Sequence, residues 1–272
     1  MKTILIIIMI LLMLSGSYLL LIMPRVNGGP DRSPFMEHYY AHRGFHDNNT
    51  DAPENSKPAF KAAVANGYGI ELDVLLTKDN IPVVYHDEKI QRGLKQPGYI
   101  WDYTYDELMQ FELFNSKERI PKLKEVLDIV DAKVPLIVEI KCENGNTKVC
   151  EEAYRVLKDY KGVYCIESFH PLAVRWFKKN VPHILRGQLA SDFYKSGDKR
   201  PYMFVLGHLM FNFLGRPDFI SYDCQYPDEL SGRICKKLFK SLPVAWTIRS
   251  QQKLDEVKDK FALFIFEGFR PV

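Results

Sequence analysis

Residues 69–87 read GIELDVLLTKDNIPVVYHD. The first eight are apolar except at Glu71 and Asp73, the length and composition of a strand buried on both faces. IPVVYHD (81–87) reads as a second strand, yet residues 77–80 are too few for a crossover helix, which takes about a dozen, so 70–87 is expected to be an antiparallel hairpin. A two-residue turn at Lys78-Asp79 or Asp79-Asn80 would return His86 opposite Glu71 or Asp73. Glu71 and Asp73 are two residues apart and share one face of the strand.

Outward from the hairpin, strand-like runs recur: YYAHRG (39–44), PLIVEIK (135–141), VYCIESF (163–169), ILRGQL (184–189), DFISYD (218–223), PVAWTI (243–248) and ALFIFEG (262–268). With 69–76 they make eight. Between them lie PAFKAAVANG, IPKLKEVLDIV, CEEAYRVLKDY, HPLAVRWFKKN and SQQKLDEVKDK, with apolar residues at helical spacing. Asn55 or Ser56 can cap the first of these helices. Eightfold alternation predicts a (β/α)8 TIM barrel, whose chemistry lies at the C-terminal strand ends. The alternative, a doubly wound open sheet, would carry a glycine-rich phosphate turn after its first strand, and GFHDNN is not one.

The N-terminus is of another kind. Residues 4–23, ILIIIMILLMLSGSYLLLIM, carry no charge and as a helix would span roughly 30 Å. The run exceeds the apolar stretch of about 7 to 15 residues in a cleaved signal peptide and ends without a small-x-small site, so an uncleaved single-pass anchor is the reading adopted. The expected layout is an anchor over 1–24, a linker over 25–36 (VNGGPDRSP in character) and a catalytic barrel over 37–272. Lys2 and the α-amino group on one side roughly balance Arg25 and Arg32 on the other, so the positive-inside rule leaves the side of the membrane open, with a lean toward an extracytoplasmic barrel. A net charge of +3, evenly spread, argues against nucleic acid as a partner. Five cysteines without CxxC spacing signal neither a disulfide framework nor zinc. Nothing signals an oligomeric state.

His42, Arg43, Glu71, Asp73, His86, Glu139 and Lys141 all fall near strand ends. A lone histidine or an E-x-D pair is ordinarily a surface feature. Strands of a barrel are buried on both faces, however, and unpaired charges there would cost several kcal/mol each. They need one another or a metal. Three carboxylates without cysteine make a hard oxygen site suited to one Mg²⁺ or Ca²⁺. Two histidines, an arginine and a lysine around it suit an anionic, phosphate-bearing substrate.

The blocks HRG (42–44), PEN (53–55), ELDVLLTKDNIPVVYHD (71–87), IPKLKEVL (120–127), VEIK (138–141), ESF (167–169) and WTI (246–248) together resemble the glycerophosphodiester phosphodiesterase family, whose barrel is similar in mechanism to phosphatidylinositol-specific phospholipases C. The resemblance runs from about residue 39 to 271. It implies hydrolysis of glycerophosphodiesters to glycerol 3-phosphate and an alcohol, with His42 and His86 as general acid and base, Glu71, Asp73 and Glu139 holding the divalent cation, and Arg43 and Lys141 on the phosphate. Trp246 is expected to wall the substrate pocket; Glu54 and Asn55 are expected to serve folding, Asn55 as a helix cap and Glu54 as a tie for the loop. His38, His46, His170, His183 and His208 are expected to be surface or packing residues.

Two departures stand out. The family ordinarily closes its last strand with Thr-Asp, where this chain has Glu267-Gly268. Residues 202–214, YMFVLGHLMFNFL, are unusually apolar for a barrel rim; core packing is expected, with contact to a lipid tail as the alternative. If that segment lined an open groove, a lysophospholipid or an envelope polymer would become the substrate to consider. A non-catalytic binding protein on the same scaffold is disfavoured, because both histidines and all three carboxylates are present.

Overall fold

A computed structural model describes residues 1–142 and 145–272. Its described residues form nine strands: β1 Tyr39–Ala41, β2 Gly69–Leu76, β3 Pro82–Val84, β4 Leu136–Ile140, β5 Tyr164–Ser168, β6 Arg186–Ala190, β7 Phe219–Asp223, β8 Leu242–Ile248 and β9 Leu263–Phe266. All but β3 pair in parallel, and β1 bonds to both β2 and β9, which closes an eight-stranded barrel. The helices are α1 Lys2–Ile22, α2 Lys57–Ala65, α3 Gln91–Leu94, α4 Tyr105–Leu108, α5 Leu123–Val130, α6 Lys148–Leu157, α7 Pro171–Asn180, α8 Pro201–Gly207, α9 Asn212–Gly215, α10 Leu230–Lys237 and α11 Gln251–Val257.

Strand alternation divides the core in two. Leu72, Val74, Val138 and Ile140 face outward to the helices. Tyr40, Ile137, Cys165, Phe219, Val244 and Ile265 fill the barrel interior toward the N-terminal strand ends. Gly69 makes room for this filling, because a Cβ there would lie 2.6 Å from the Tyr40 ring. Phe35 joins the same cluster, and its carbonyl accepts from the Tyr40 hydroxyl at 2.9 Å. Residues 25–36 therefore close the floor of the barrel: Arg25 pairs with buried Asp218 at 3.1 Å, and Arg32 donates to the Lys240 carbonyl.

The hairpin forms with a register different from the expected one. Leu76 pairs with Pro82 and Val74 with Val84, so the turn holds three residues, Lys78, Asp79 and Asn80, with Asn80 left-handed at φ 63°. The Thr77 hydroxyl bonds Asp79 and accepts from the Ile81 N–H, which fixes the longer turn. The ladder would place His86 opposite Leu72 rather than Glu71 or Asp73, but it ends before that point. Residues beyond β3 form a second small core around Tyr85, Ile90, Leu94, Ile100 and Leu108.

Ser56, not Asn55, caps α2, its hydroxyl accepting from Ala59 N–H at 3.3 Å. The apolar 202–214 segment splits into α8 and α9. Leu206 and Leu209 are buried, whereas Tyr202, Phe204 and Phe213 remain exposed. Core packing thus accounts for only part of it.

Candidate active site

β2, β4 and β5 lie side by side in a register that aligns Asp73 with Glu139 and Glu139 with Glu167. With Glu71 this places four buried carboxylates at the catalytic end of the barrel. One oxygen from each of Glu71, Asp73 and Glu139 lies within 4.8 Å of the others. Lys141 donates to Glu139 at 2.8 Å and lies 2.9 Å from Asp73. Arg43 lies 3.5 Å from Asp73 through Nε, and its backbone N–H donates to Glu71 at 3.0 Å. That last bond depends on a sharp turn after β1, with Arg43 at φ 55° and Gly44 at φ 83°. A side chain at Gly44 would be strained and would also lie 3.0 Å from the Ala59 backbone.

The electrostatics show the crowding. Burial, reinforced by Asp73 and Glu139, raises Glu71 well above the carboxylate range. Burial likewise raises Glu139, against the pull of Lys141. Asp73 is held well below its usual value, because Lys141, His86 and Arg43 outweigh its burial. Glu167 is pushed up to about 8 by burial and by Glu139, and its Oε2 has no hydrogen-bond partner. Burial and mutual repulsion therefore both disfavour the charged forms of Glu71 and Glu167. A hard divalent ion fits this donor set, since it would offset the crowded negative charge and meet only oxygen ligands.

Each histidine has an orienting carboxylate. His42 Nδ1 lies 3.0 Å from Glu267 Oε2, and its Nε2 lies 3.9 Å from Glu71. Burial pushes His42 down to about 4 despite the bond to Glu267, so the imidazole is neutral near pH 7. His86 Nδ1 lies 2.6 Å from Asp87, which Arg92 holds through Nε at 2.5 Å. His42, Arg43, Glu71, His86, Glu139 and Trp246 all line one crevice of about 140 Å³. Trp246 belongs to its wall, donating to the Ser221 carbonyl and standing edge-on to Phe169. Beside the crevice, and sharing His86 and Glu139 with it, opens a cleft of about 920 Å³ whose far wall is Tyr202, Met203, Leu206 and Phe211.

All eight residues singled out in the sequence therefore converge. Glu54 does tie the loop, accepting from Arg43, Asn48 and Arg92, but Asn55 gives its side-chain N–H to Asp73 at 2.8 Å instead of capping a helix. Sequence reasoning missed Glu167, Asp87, Arg92 and Glu267. Glu167 had a signal: it interrupts VYCIESF as Glu139 interrupts LIVEIK. Glu267, noted only as a departure, proves to be the partner of His42. His46, expected to be a surface or packing residue, is half-buried with its Nε2 3.9 Å from Glu267.

A parallel eight-stranded barrel with acids and two histidines at the C-terminal strand ends defines a barrel enzyme. A model of the glycerophosphoryl diester phosphodiesterase family matches residues 42–213. The glycerophosphodiester phosphodiesterase of Bacillus altitudinis is 35% identical over 171 residues, covering 58% of this chain and 68% of that protein. That of Caldanaerobacter subterraneus is 35% identical over 178 residues, covering 61% and 70%. The fold is similar to an Oleispira antarctica phosphodiesterase solved with sn-glycerol-3-phosphate (TM-score 0.70, 23% identity, 85% of this chain and 93% of that one). It is also similar to a Parabacteroides distasonis glycerophosphodiester phosphodiesterase (TM-score 0.65, 26% identity, 84% and 92%). The chain belongs to the glycerophosphoryl diester phosphodiesterase family. It is a phosphoric diester hydrolase acting on glycerophosphodiesters.

Proposed function

We propose that the chain hydrolyses glycerophosphodiesters by proton transfer between two oriented histidines beside a divalent cation, Mg²⁺ or Ca²⁺, while tethered to a membrane by α1. The observation that carries this is the gathering of Glu71, Asp73 and Glu139 in one crevice with His42 and His86. Glu71, Asp73 and Glu139 would hold the ion, which when bound supplies positive charge toward the phosphoryl oxygens.

The protein's own groups do the rest. His42 donates its Nδ1–H to the Glu267 carboxylate, which leaves Nε2 free to accept. His42, neutral at working pH, removes the proton from the attacking substrate hydroxyl or water. Asp87 orients His86 in the same way, so that a protonated His86 can deliver its proton to the departing alcohol. Arg43 and Lys141, fixed against the carboxylates, present their remaining N–H groups to the phosphate. Trp246 forms part of the wall of the crevice.

Membrane attachment is supported by α1 itself, 21 residues with mean hydropathy 2.8 over its most apolar window. Its last turn belongs to the folded unit: Ile22 is buried and its carbonyl accepts from buried Asn212 at 2.8 Å, a bond that cleavage near Arg25 would abolish.

The test is hydrolysis of glycerophosphocholine by the full chain in detergent, following glycerol 3-phosphate with and without EDTA. EDTA abolishes release and Mg²⁺ or Ca²⁺ restores it. Persistence of full activity in EDTA would remove the cation from the reading; an inert protein in the presence of both ions would end it.

A further inference from the structure

The imidazole of His46 is enclosed without a partner. The residue as a whole is half-buried, but its side chain is only 8% exposed, and neither ring nitrogen has a hydrogen-bond partner among the described residues. Two backbone bonds on either side hold it in place: Phe45 N–H donates to the Ala59 carbonyl and Asp47 N–H to that of Ala52. Phe45 packs on Tyr68 and Phe266, which pins the loop after β1 to the end of β9. A phenyl ring would fill the same space without leaving two buried nitrogens unpaired, a state that costs free energy. What the imidazole adds is an N–H.

The ring faces a carboxylate already in use. His46 Nε2 lies 3.9 Å from Glu267 Oε1, while the other oxygen, Oε2, accepts from His42 Nδ1 at 3.0 Å and from Arg249 at 3.1 Å. Glu267 therefore stands between two imidazoles with one oxygen toward each. Burial lowers the His46 pKa against the pull of Glu267, so near pH 7 the ring is neutral and has a single N–H to give. Carried on Nε2, that proton faces Oε1. Among the described residues no other donor reaches this oxygen.

The position of Glu267 makes that donor matter. With His46 and Arg270 it lines a cavity of about 780 Å³, whereas His42 and Arg249 line the crevice. A carboxylate held through Oε2 alone, beside the exposed Arg249, is free to turn into that cavity and leave His42 Nδ1 behind. We infer that His46 is a positioning residue for the hydrolysis, holding Oε1 of Glu267 from behind so that Oε2 stays on His42 Nδ1. This rests on the two-histidine reading above, in which His42 keeps its proton on Nδ1 and accepts at Nε2. Hydrogen bonds among catalytic groups are commonly long before substrate binds and tighten in the complex. A small rotation of either side chain closes 3.9 Å to a bond.

The experiment uses the full chain in detergent with glycerophosphocholine and Mg²⁺ or Ca²⁺. His46→Phe, which keeps a ring and loses the donor, is expected to lower kcat about tenfold with KM nearly unchanged, the scale of loss for a displaced catalytic group. His46→Gln, whose side-chain N–H falls near the place of Nε2, should recover most of that loss. In a Glu267→Gln background His46→Phe should cost about twofold or less, because its effect runs through the carboxylate. Proton NMR of the resting enzyme gives a measure without turnover. The downfield Nδ1–H resonance of His42, identified by its loss in His42→Ala, should broaden or vanish in His46→Phe and persist in His46→Gln. Melting temperatures are taken on each variant, and His46→Leu, also without a donor, replaces His46→Phe if the larger ring impairs folding. An unchanged kcat or an unchanged resonance in the donor-less variant overturns the inference. So do equal losses in the Phe and Gln variants, or a full tenfold loss in the Glu267→Gln background. Full activity in His42→Ala sinks the two-histidine reading instead, and the resonance still decides whether His46 holds the pair.

Discussion

Glu54 and Arg92 face each other fork to fork, Arg92 donating through its two terminal nitrogens to both carboxylate oxygens at 2.6 and 3.0 Å. The pair is a junction. Glu54 also receives Arg43, and Arg92 also holds Asp87, which orients His86. The supports of the two histidine-bearing loops are therefore one connected network, and loosening the junction displaces both.

Arg92→Lys keeps the charge and loses the fork. Because Arg92 is 45% exposed, the stability cost is expected to be small, about 1 kcal/mol or less. The activity cost is expected to be larger, about tenfold in kcat, since misplaced catalytic groups are penalised steeply. Thermal melts and steady-state kinetics on the same preparation separate the two. A loss of stability without a loss of rate would show the junction to be structural only.

Glu54 also carries a pH dependence. Burial raises its pKa, but Arg92, Arg43 and Asn48 outweigh this and hold it at about 2, below the ordinary 4.5. A depressed carboxylate stabilises the folded state above its unfolded pKa. That contribution, of the order of 3 kcal/mol, is lost as pH falls from about 4.5 toward 2. Denaturant titrations at pH 6, 4 and 3 should show the decline, and Glu54→Gln should flatten it while lowering stability at pH 6.

Removal of the imidazole in His42→Ala is expected to lower kcat by about 10² or more. Glu267→Gln retains a hydrogen-bonding oxygen near Nδ1 but withdraws the negative charge that stabilises a protonated His42, and should cost about tenfold in kcat with KM nearly unchanged. A rise confined to KM would assign Glu267 to substrate binding rather than to positioning.

The carboxylate cluster predicts a stability effect of the cation independent of turnover. Mg²⁺ or Ca²⁺ should raise the melting temperature of the wild type, because an ion bound only by the folded state adds its binding free energy. In Asp73→Asn the rise should shrink or vanish. Isothermal titration with each ion checks the same site directly, and equal binding by Asp73→Asn would place the ion elsewhere.

Much of this was legible before the fold was known. The eight barrel strands lie where apolar runs were found, and Glu71, Asp73, Glu139 and Lys141 betrayed the site because charges interrupt runs that burial should keep apolar. The hairpin was legible too, but its register was not. Turn length depended on the Thr77–Asp79 bond and a left-handed Asn80, which shift the pairing by one residue. Arg92 lies in a segment without clear periodicity, and its value comes from partners in separate loops.

Periodicity and local charge are properties of neighbouring residues, so strand, helix and acid-bearing strand end follow from the order of amino acids alone. Partnership is not local. Glu267 meets His42 across 225 residues, and Asn212 meets Ile22 across 190. Only closure of the barrel brings those pairs within hydrogen-bond reach, and with them come the orientation of the imidazole and the direction in which the apolar helix leaves the protein.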